Sequence, residues 1–327
     1  MKNKLNIAIL CGGYSGESKI SINSASEIVK KINREKYNVF LIKITKEKWF
    51  YEKDNATFEI NRHDFSLLLP EGKIKFDVVF NMIHGNPGEN GLMQSYFELL
   101  GIRHTTCNSA VSNLTFNKYY TIQTVKSFGI ATNRSVYYNN PSSADINEVK
   151  NNLKFPVFVK PNSGGSSIGM SKVKKIEDLE DALKTAFNED NEILVEEFVK
   201  GNELTCGVLR INGKITALPI TLVKSKNDFF DYQAKYDPEL SEEITPAPVS
   251  QKETDDVVKA SLLLYDKLNC RGVVRFDFIH DGNNPVFIEV NTIPGMSSTS
   301  IVPQQARAAG IQEAELYDII IENSFKY

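Results

Sequence analysis

No run of about 20 apolar residues occurs anywhere in this sequence, so nothing in it has the length of a membrane-spanning helix. Cysteine is sparse: four residues, at 11, 107, 206 and 270, lie far apart and show neither CxxC nor Cys/His spacing. A disulfide framework and a zinc site are excluded on that ground, and Cys11 and Cys206, set in apolar runs, read as buried free thiols suited to a reducing cytoplasm. Positive charge is not in excess either. The net charge is −3 at pH 7, with Lys and Glu mixed along the chain, so no electrostatic footprint for nucleic acid is present. Low-complexity tracts are missing as well, which excludes a disordered or fibrous chain.

What is there is the composition of a soluble folded protein, 41% hydrophobic, 24% charged and 10% aromatic over 327 residues. That length implies two or three domains around a shared cleft. After a short basic leader (MKNKL) the chain runs straight into a strand.

The most informative stretch runs from Arg271 to Ser300. Two β-branched, apolar runs, 272 to 279 and 285 to 291, flank Asp281-Gly282-Asn283-Asn284 and predict a β-hairpin. Alternation along a strand puts Arg275 and Asp277 on one face of the first strand, and Glu289 and Asn291 on one face of the second. With a three-residue loop, 282 to 284, Asp277 falls opposite Glu289 and Arg275 opposite Asn291. Phe276, Phe278, Ile288 and Val290 then build a core face. A wet face of this kind is satisfied by cross-strand ion pairs alone. Two carboxylates and a carboxamide in register also suit a hard cation such as Mg²⁺, which takes oxygen ligands and shares its shell with phosphate.

Taken in order, the apolar run 5 to 12 predicts a buried parallel strand leading into Gly12-Gly13-Tyr14-Ser15-Gly16-Glu17 and a helix over 21 to 32. Glu17 near a helix start suits an ammonium ligand, or is an ordinary first-turn acid. Strands at 39 to 44 and 76 to 83 follow, joined by a polar connection. The latter ends in His84 and a Gly-rich loop, at the strand ends where open α/β sheets bind ligands. A strand at 101 to 107 and a helix over 108 to 128 come next. By spacing alone, Lys118 in that helix reads as a surface lysine. Lys160 ends an apolar strand, and the loop from Pro161 to Gly169, rich in Gly and Ser, can fold its amides over phosphates. Glu196 and Glu197, followed by Val199, sit at another strand end. Residues 227 to 248 lack periodicity and read as a lid or binding loop.

Six segments in this order, GGYSGESKIS, HGNPGENG, FPVFVKPNSGGSSIGMSKV, VEEFVKGNE, YQAKY, and RFD with IEVNTIPGMSSTSIVP, resemble the D-alanine–D-alanine ligases of the ATP-grasp group over nearly the whole chain. The resemblance implies an α/β, ATP-grasp fold. An N-terminal open parallel α/β domain covers 1–106, and two α+β domains, 107–190 and 191–327 with the lid at 227–248, clasp ATP. It implies ATP contacts from Lys118, Lys160, Ser166, Glu196, Glu197, Val199, Glu203 and Lys235. Asp277, Glu289 and Asn291 are assigned to Mg²⁺, with Mn²⁺ as a substitute and two ions expected beside nucleotide. Glu17, Ser166 and Tyr236 match a trio that closes the lid, with His84, Arg275, Gly295, Ser300 and Ile301 around two D-alanines. The implied activity is ADP-forming synthesis of D-alanyl-D-alanine through a D-alanyl phosphate, for peptidoglycan precursors, by a cytoplasmic homodimer that binds neither nucleic acid nor membrane. Lys235-Tyr236 is similar to the alanine-forming enzymes, whereas Asn90 stands where the family has aspartate. The rivals are ligases that use D-lactate or D-serine, and a nucleotide-binding regulatory module without turnover.

Overall fold

The computed structural model describes residues 4–225 and 241–327. Among them, three sheets organise the chain. The first is centred on Leu5–Gly12, which pairs in parallel with Tyr37–Ile44 on one side and Val78–Asn81 on the other. Its Ile7 and Ile9 pack against Ala25 and Ile28 of the helix Ser18–Lys31, while Ala8 and Leu10 pack against Phe65 and Phe97. A strand covered on both faces accounts for the unbroken apolar run. The predicted strand at 101 to 107 shrinks to Arg103–His104.

The polar connection after Ile44 is itself structured, as an antiparallel meander through Trp49–Lys53, Ala56–Asn61, Ser66–Leu69 and Gly72–Ile74. Its first turn, Asp54-Asn55, holds both residues at positive φ, 51° and 64°. That is the geometry a two-residue hairpin loop needs, and Asn and Asp tolerate it. Strands this short carry too little alternation to be read from sequence.

The second sheet is antiparallel, in the order Ser135–Tyr138, Ile193–Glu197, Val157–Pro161, Ser171–Val173. Ile193–Glu197 therefore belongs with this sheet, although a boundary at 190 assigns it to the following domain; its backbone partners are Tyr138 and Val157, not the third sheet. The predicted helix over 108 to 128 is broken in two, Ser109–Phe116 and Lys118–Ser127. Asn117 breaks it by leaving helical geometry (ψ 107°) and capping the second helix through Tyr120 N.

The third sheet runs Ser241–Ile244, Thr221–Ser225, Asn202–Ile211, Val274–His280, Pro285–Asn291, Ala131–Thr132. One face buries Leu204, Cys206, Phe276 and Phe278 against the helix Gln251–Lys267, which starts at a Ser250/Glu253 capping box. The other face is the floor of a cleft. All four cysteines are buried and free.

In the C-terminal ribbon Arg275 pairs with Asn291 and Asp277 with Glu289 as expected, but the register then shifts, so that Phe278 faces Phe287 and His280 faces Pro285. The loop is four residues because Asp281 Oδ1 accepts from the N–H groups of both Asn283 and Asn284, each at 2.8 Å. The extra residue is absorbed as a bulge at Ile288. Ile288 is thus not a core residue, as regular alternation predicts; it lines the cleft.

Candidate active site

The cleft has two lobes, about 460 Å³ and 930 Å³, both within the usual size range of ligand pockets. They meet at Glu17, Lys118, Gly164, Gly165, Glu203, Asp277 and Glu289, which line both. The smaller lobe gathers His84, Ser166, Arg275, Gly295, Ser300 and Ile301, contributed by strand ends and turns more than 200 residues apart in the chain. The larger takes Lys160, Glu196 and Val199, with Phe158, Phe198 and Leu222 as apolar lining.

Several functional side chains have an identifiable hold. Lys160 Nζ and Glu196 Oε2 form a 2.6 Å ion pair, both buried. Lys118, indistinct by spacing, sits where the broken helix restarts, and its Nζ donates to Gly164 O at 2.6 Å. Lys118 N donates to Asn162 O and Tyr119 N to Asn162 Oδ1, so the helix start clamps the Gly-rich loop. At the loop's crest Ser166 Oγ donates to Glu17 Oε1 at 2.5 Å. Ser166 and Ser167 both adopt left-handed backbone, φ 54° and 56°, a conformation that costs about 1–3 kcal/mol per residue and persists where surrounding contacts enforce it. Arg275 grips Asp277 bidentately, Nε to Oδ1 at 2.8 Å and Nη2 to Oδ2 at 2.7 Å.

Glu197 is not brought to either lobe. It faces the other side of its strand, where its Oε1 accepts from Lys154 N at 2.9 Å. Lys235 and Tyr236 lie outside the described residues, as does most of the segment expected to be a lid. Its end is not structureless: Ser241–Ile244 is a strand paired with Thr221–Ser225.

Residues that line the smaller lobe without having been anticipated include Glu89, Thr205, Glu243 and Thr292. Burial, with Glu17 and Glu289 nearby, pushes the Glu89 carboxyl up to about 7, although Gly85 N donates to it at 3.1 Å. Burial also raises Glu243, against the pull of Arg275 and a hydrogen bond from Gln304. Glu89 lies inside the quoted HGNPGENG motif, and alternation from Glu203 could have flagged Thr205. Glu243, in a stretch without periodicity, gave no signal.

Burial lowers the His84 pKa, with Glu17 and the Ile293 backbone opposing, so the ring is neutral near pH 7. Its Nε2 is a buried polar atom without a hydrogen-bond partner, and so are Thr205 Oγ1 and Thr292 Oγ1 in the same lobe and Asn133 Oδ1 in the larger one. Buried polar groups are normally satisfied, and several orphans lining one cleft mark places that a ligand fills.

For a metal, the described residues contain no cluster of three His, Cys, Asp or Glu. The ribbon instead offers Asp277 and Glu289 with the Asn291 carboxamide, whose Oδ1 also accepts from Ile293 N at 3.1 Å. Each carboxylate has about four lone-pair sites, so the bond to Arg275 leaves Asp277 able to coordinate. This is a fit for a cation that completes its shell with ligand oxygens.

The chain matches the family model for the D-ala D-ala ligase N-terminus over residues 6–107 and that for the D-ala D-ala ligase C-terminus over 124–322. It is 46% identical over 320 residues to a D-alanine–D-alanine ligase of Flavobacterium johnsoniae, across 98% of this chain and 99% of that one. The crystal structure of VanG D-Ala:D-Ser ligase from Enterococcus faecalis aligns with a TM-score of 0.87 at 31% identity, over 98% of this chain and 100% of that one. A D-alanine–D-alanine ligase from Bacillus anthracis, solved in complex with ATP, aligns with a TM-score of 0.79 at 29% identity, over 98% of both chains. Two family models laid end to end along one cleft-bearing α/β chain lead to one assignment: this chain belongs to the D-alanine–D-alanine ligase family and has the ATP-grasp fold.

Proposed function

We propose that this chain joins two D-alanines at the expense of ATP, releasing ADP and phosphate. The observation that carries the proposal is the meeting of a small polar lobe and a larger, partly apolar lobe at Asp277 and Glu289. An amino acid fits the first, a nucleotide the second, and their reacting ends come together at the shared acids.

In this scheme Phe158, Phe198 and Leu222 hold the base, Glu196, Val199 and Glu203 the adenosine edge, and Lys118 and Lys160 the phosphates. Asp277, Glu289 and Asn291 hold Mg²⁺, or Mn²⁺ in its place. When bound, the metal neutralises phosphoryl charge during transfer. Glu17 takes the ammonium of the first D-alanine, whose carboxylate accepts the γ-phosphoryl group. The amine of the second D-alanine, oriented by Ser300 and the N–H of Ile301, attacks that acyl phosphate. Arg275 and the N–H of Gly295 stabilise the oxyanion, a contact worth about 3 kcal/mol per donor. Ser166 ties the phosphate loop to Glu17, Lys235 serves ATP and Tyr236 completes the trio with Glu17 and Ser166. The chain then works as three domains, with the second boundary moved from 190 past Glu197, in a cytoplasmic homodimer that feeds peptidoglycan synthesis.

A second reading, D-serine as acceptor, draws on the similarity to the D-Ala:D-Ser ligase VanG and on the two unpartnered threonine hydroxyls in the smaller lobe. Mass spectrometry of the product formed from ATP, Mg²⁺ and equal D-alanine and D-serine separates the two. D-alanyl-D-alanine with stoichiometric ADP is expected; a mixed dipeptide as main product replaces the reading, and ADP without any dipeptide removes it.

A further inference from the structure

Thr205 lies at the centre of the third sheet, on the strand Asn202–Ile211, hydrogen-bonded on one side to the ribbon and on the other to Thr221–Ser225. Its neighbour across the ribbon is Asp277, so alternation turns its side chain to the cleft face with Glu203 and Asp277. The backbone here is fixed by a side chain as well. Buried Gln305 donates from Nε2 to Thr205 O at 2.9 Å, while its Oε1 accepts from Gly207 N at 2.9 Å.

The hydroxyl is treated differently from the backbone that carries it. Thr205 is 2% exposed, yet its Oγ1 has no hydrogen-bond partner. The contrast with Thr221, directly across the strand pair, is informative: that hydroxyl bonds both Gln305 Nε2 and Thr245 Oγ1. Asp277, its partner in register, bonds Arg275 through both oxygens and, though lone pairs remain, takes no hydrogen bond from Thr205. A hydroxyl held this rigidly and left unsatisfied is a standing cost to the free protein, of the kind retained where a ligand completes the bond. Thr205 lines the smaller lobe next to residues that line both. Its hydroxyl therefore faces the place where the two substrates meet.

We propose that Thr205 Oγ1 is a catalytic hydrogen-bond donor to an anionic oxygen of the reacting group, supplied by the carboxylate being activated or by the phosphoryl group passing to it. This rests on the ligase reading above. No proton is transferred; a hydrogen bond to developing or existing charge is added in a site whose other donors, Arg275 and the Gly295 N–H, come from different segments. Ground-state binding of the carboxylate and stabilisation of the moving phosphoryl group differ in which kinetic constant they change.

Thr205→Val keeps the shape and removes the donor, and Thr205→Ser keeps the donor. With ATP, Mg²⁺ and D-alanine, Thr205→Val is expected to lose about 10- to 100-fold in kcat/KM, the range of one charge-assisted hydrogen bond, and Thr205→Ser to stay within about threefold of wild type. A loss confined to kcat assigns the bond to the phosphoryl oxygen; a rise in the D-alanine KM assigns it to the carboxylate. Melting of the ligand-free proteins supplies the second readout: Thr205→Val should melt at or above wild type, because an unsatisfied hydroxyl has been removed. Turnover of Thr205→Val within twofold of wild type overturns the proposal, and so does a loss that Thr205→Ser does not recover, or a lowered melting temperature in Thr205→Val. A wild-type protein that makes no dipeptide at all fails the ligase reading instead, while the melting comparison still reports whether Oγ1 is unpaired.

Discussion

Replacing Glu89 with Gln should stabilise the protein, and only above the pH at which an ordinary carboxylate ionises. Glu89 is half-buried with Glu17 and Glu289 nearby, and its carboxyl is pushed up to about 7 from a usual value of 4.5. In the unfolded chain it ionises near 4.5. Between the two values the unfolded state loses its proton first, so wild-type stability falls as pH rises and levels off above about 7. At about 1.36 kcal/mol per unit, the full penalty is at most about 3 kcal/mol at pH 8 and close to zero at pH 4.5. Gln keeps an acceptor for the Gly85 N–H, seen at 3.1 Å, and never charges. With a melting entropy of about 2.1 cal/mol/K per residue over 327 residues, that difference corresponds to about 4 °C. Melts of both proteins at pH 5 and pH 8, without ligands, test it. The gap in favour of Glu89→Gln should open between the two; an equal gap at both, or one that narrows at pH 8, refutes the burial and charge-crowding argument.

Lys160→Met leaves the buried Glu196 carboxylate without its 2.6 Å partner. About 3–5 kcal/mol of stability should be lost, read as a lower urea midpoint, with much of it recovered in Lys160→Met/Glu196→Gln. Gly272→Ala should give insoluble or grossly destabilised protein. Its φ is +67° and a Cβ there meets Thr105 O at 2.0 Å, backbone that cannot step aside; wild-type expression and melting for this variant would contradict that packing.

The pairing of Asp277 with Glu289 in the ribbon was legible because two local rules agree there, alternation and turn composition. The ribbon's far end was not, since the choice of a four-residue loop rests on Asp281 folding back onto two amides. Lys118 shows a different limit. Its position matters because Asn117 breaks a helix to bridge to Ser163 while Lys118 N donates to Asn162 O, contacts between segments too far apart for any window to contain. Glu197 comes to an ATP role only through the resemblance, and its side chain turns away from both lobes because consecutive strand residues face opposite sides. Glu243 and the meander after Ile44 were invisible for one reason: short strands without alternation become strands only when a partner is present. Thr205 could be placed on the right face by counting, but whether a hydroxyl has a partner is a three-dimensional fact.

The bulge at Ile288 gives the last strand something a regular strand cannot have, two successive side chains on the same side. Ile288 and Glu289 both open onto the cleft, one residue's rise apart, about 3.3 Å. A hydrocarbon platform and an anionic post thus stand side by side, so a ligand with a flat greasy body and a charged tail can be served by adjacent links of the chain. Shortening the segment by one would keep Glu289 in place and remove the platform, whereas lengthening it by one before Val290 would turn Asn291 into the core. The strand is open to substitution but closed to changes in length.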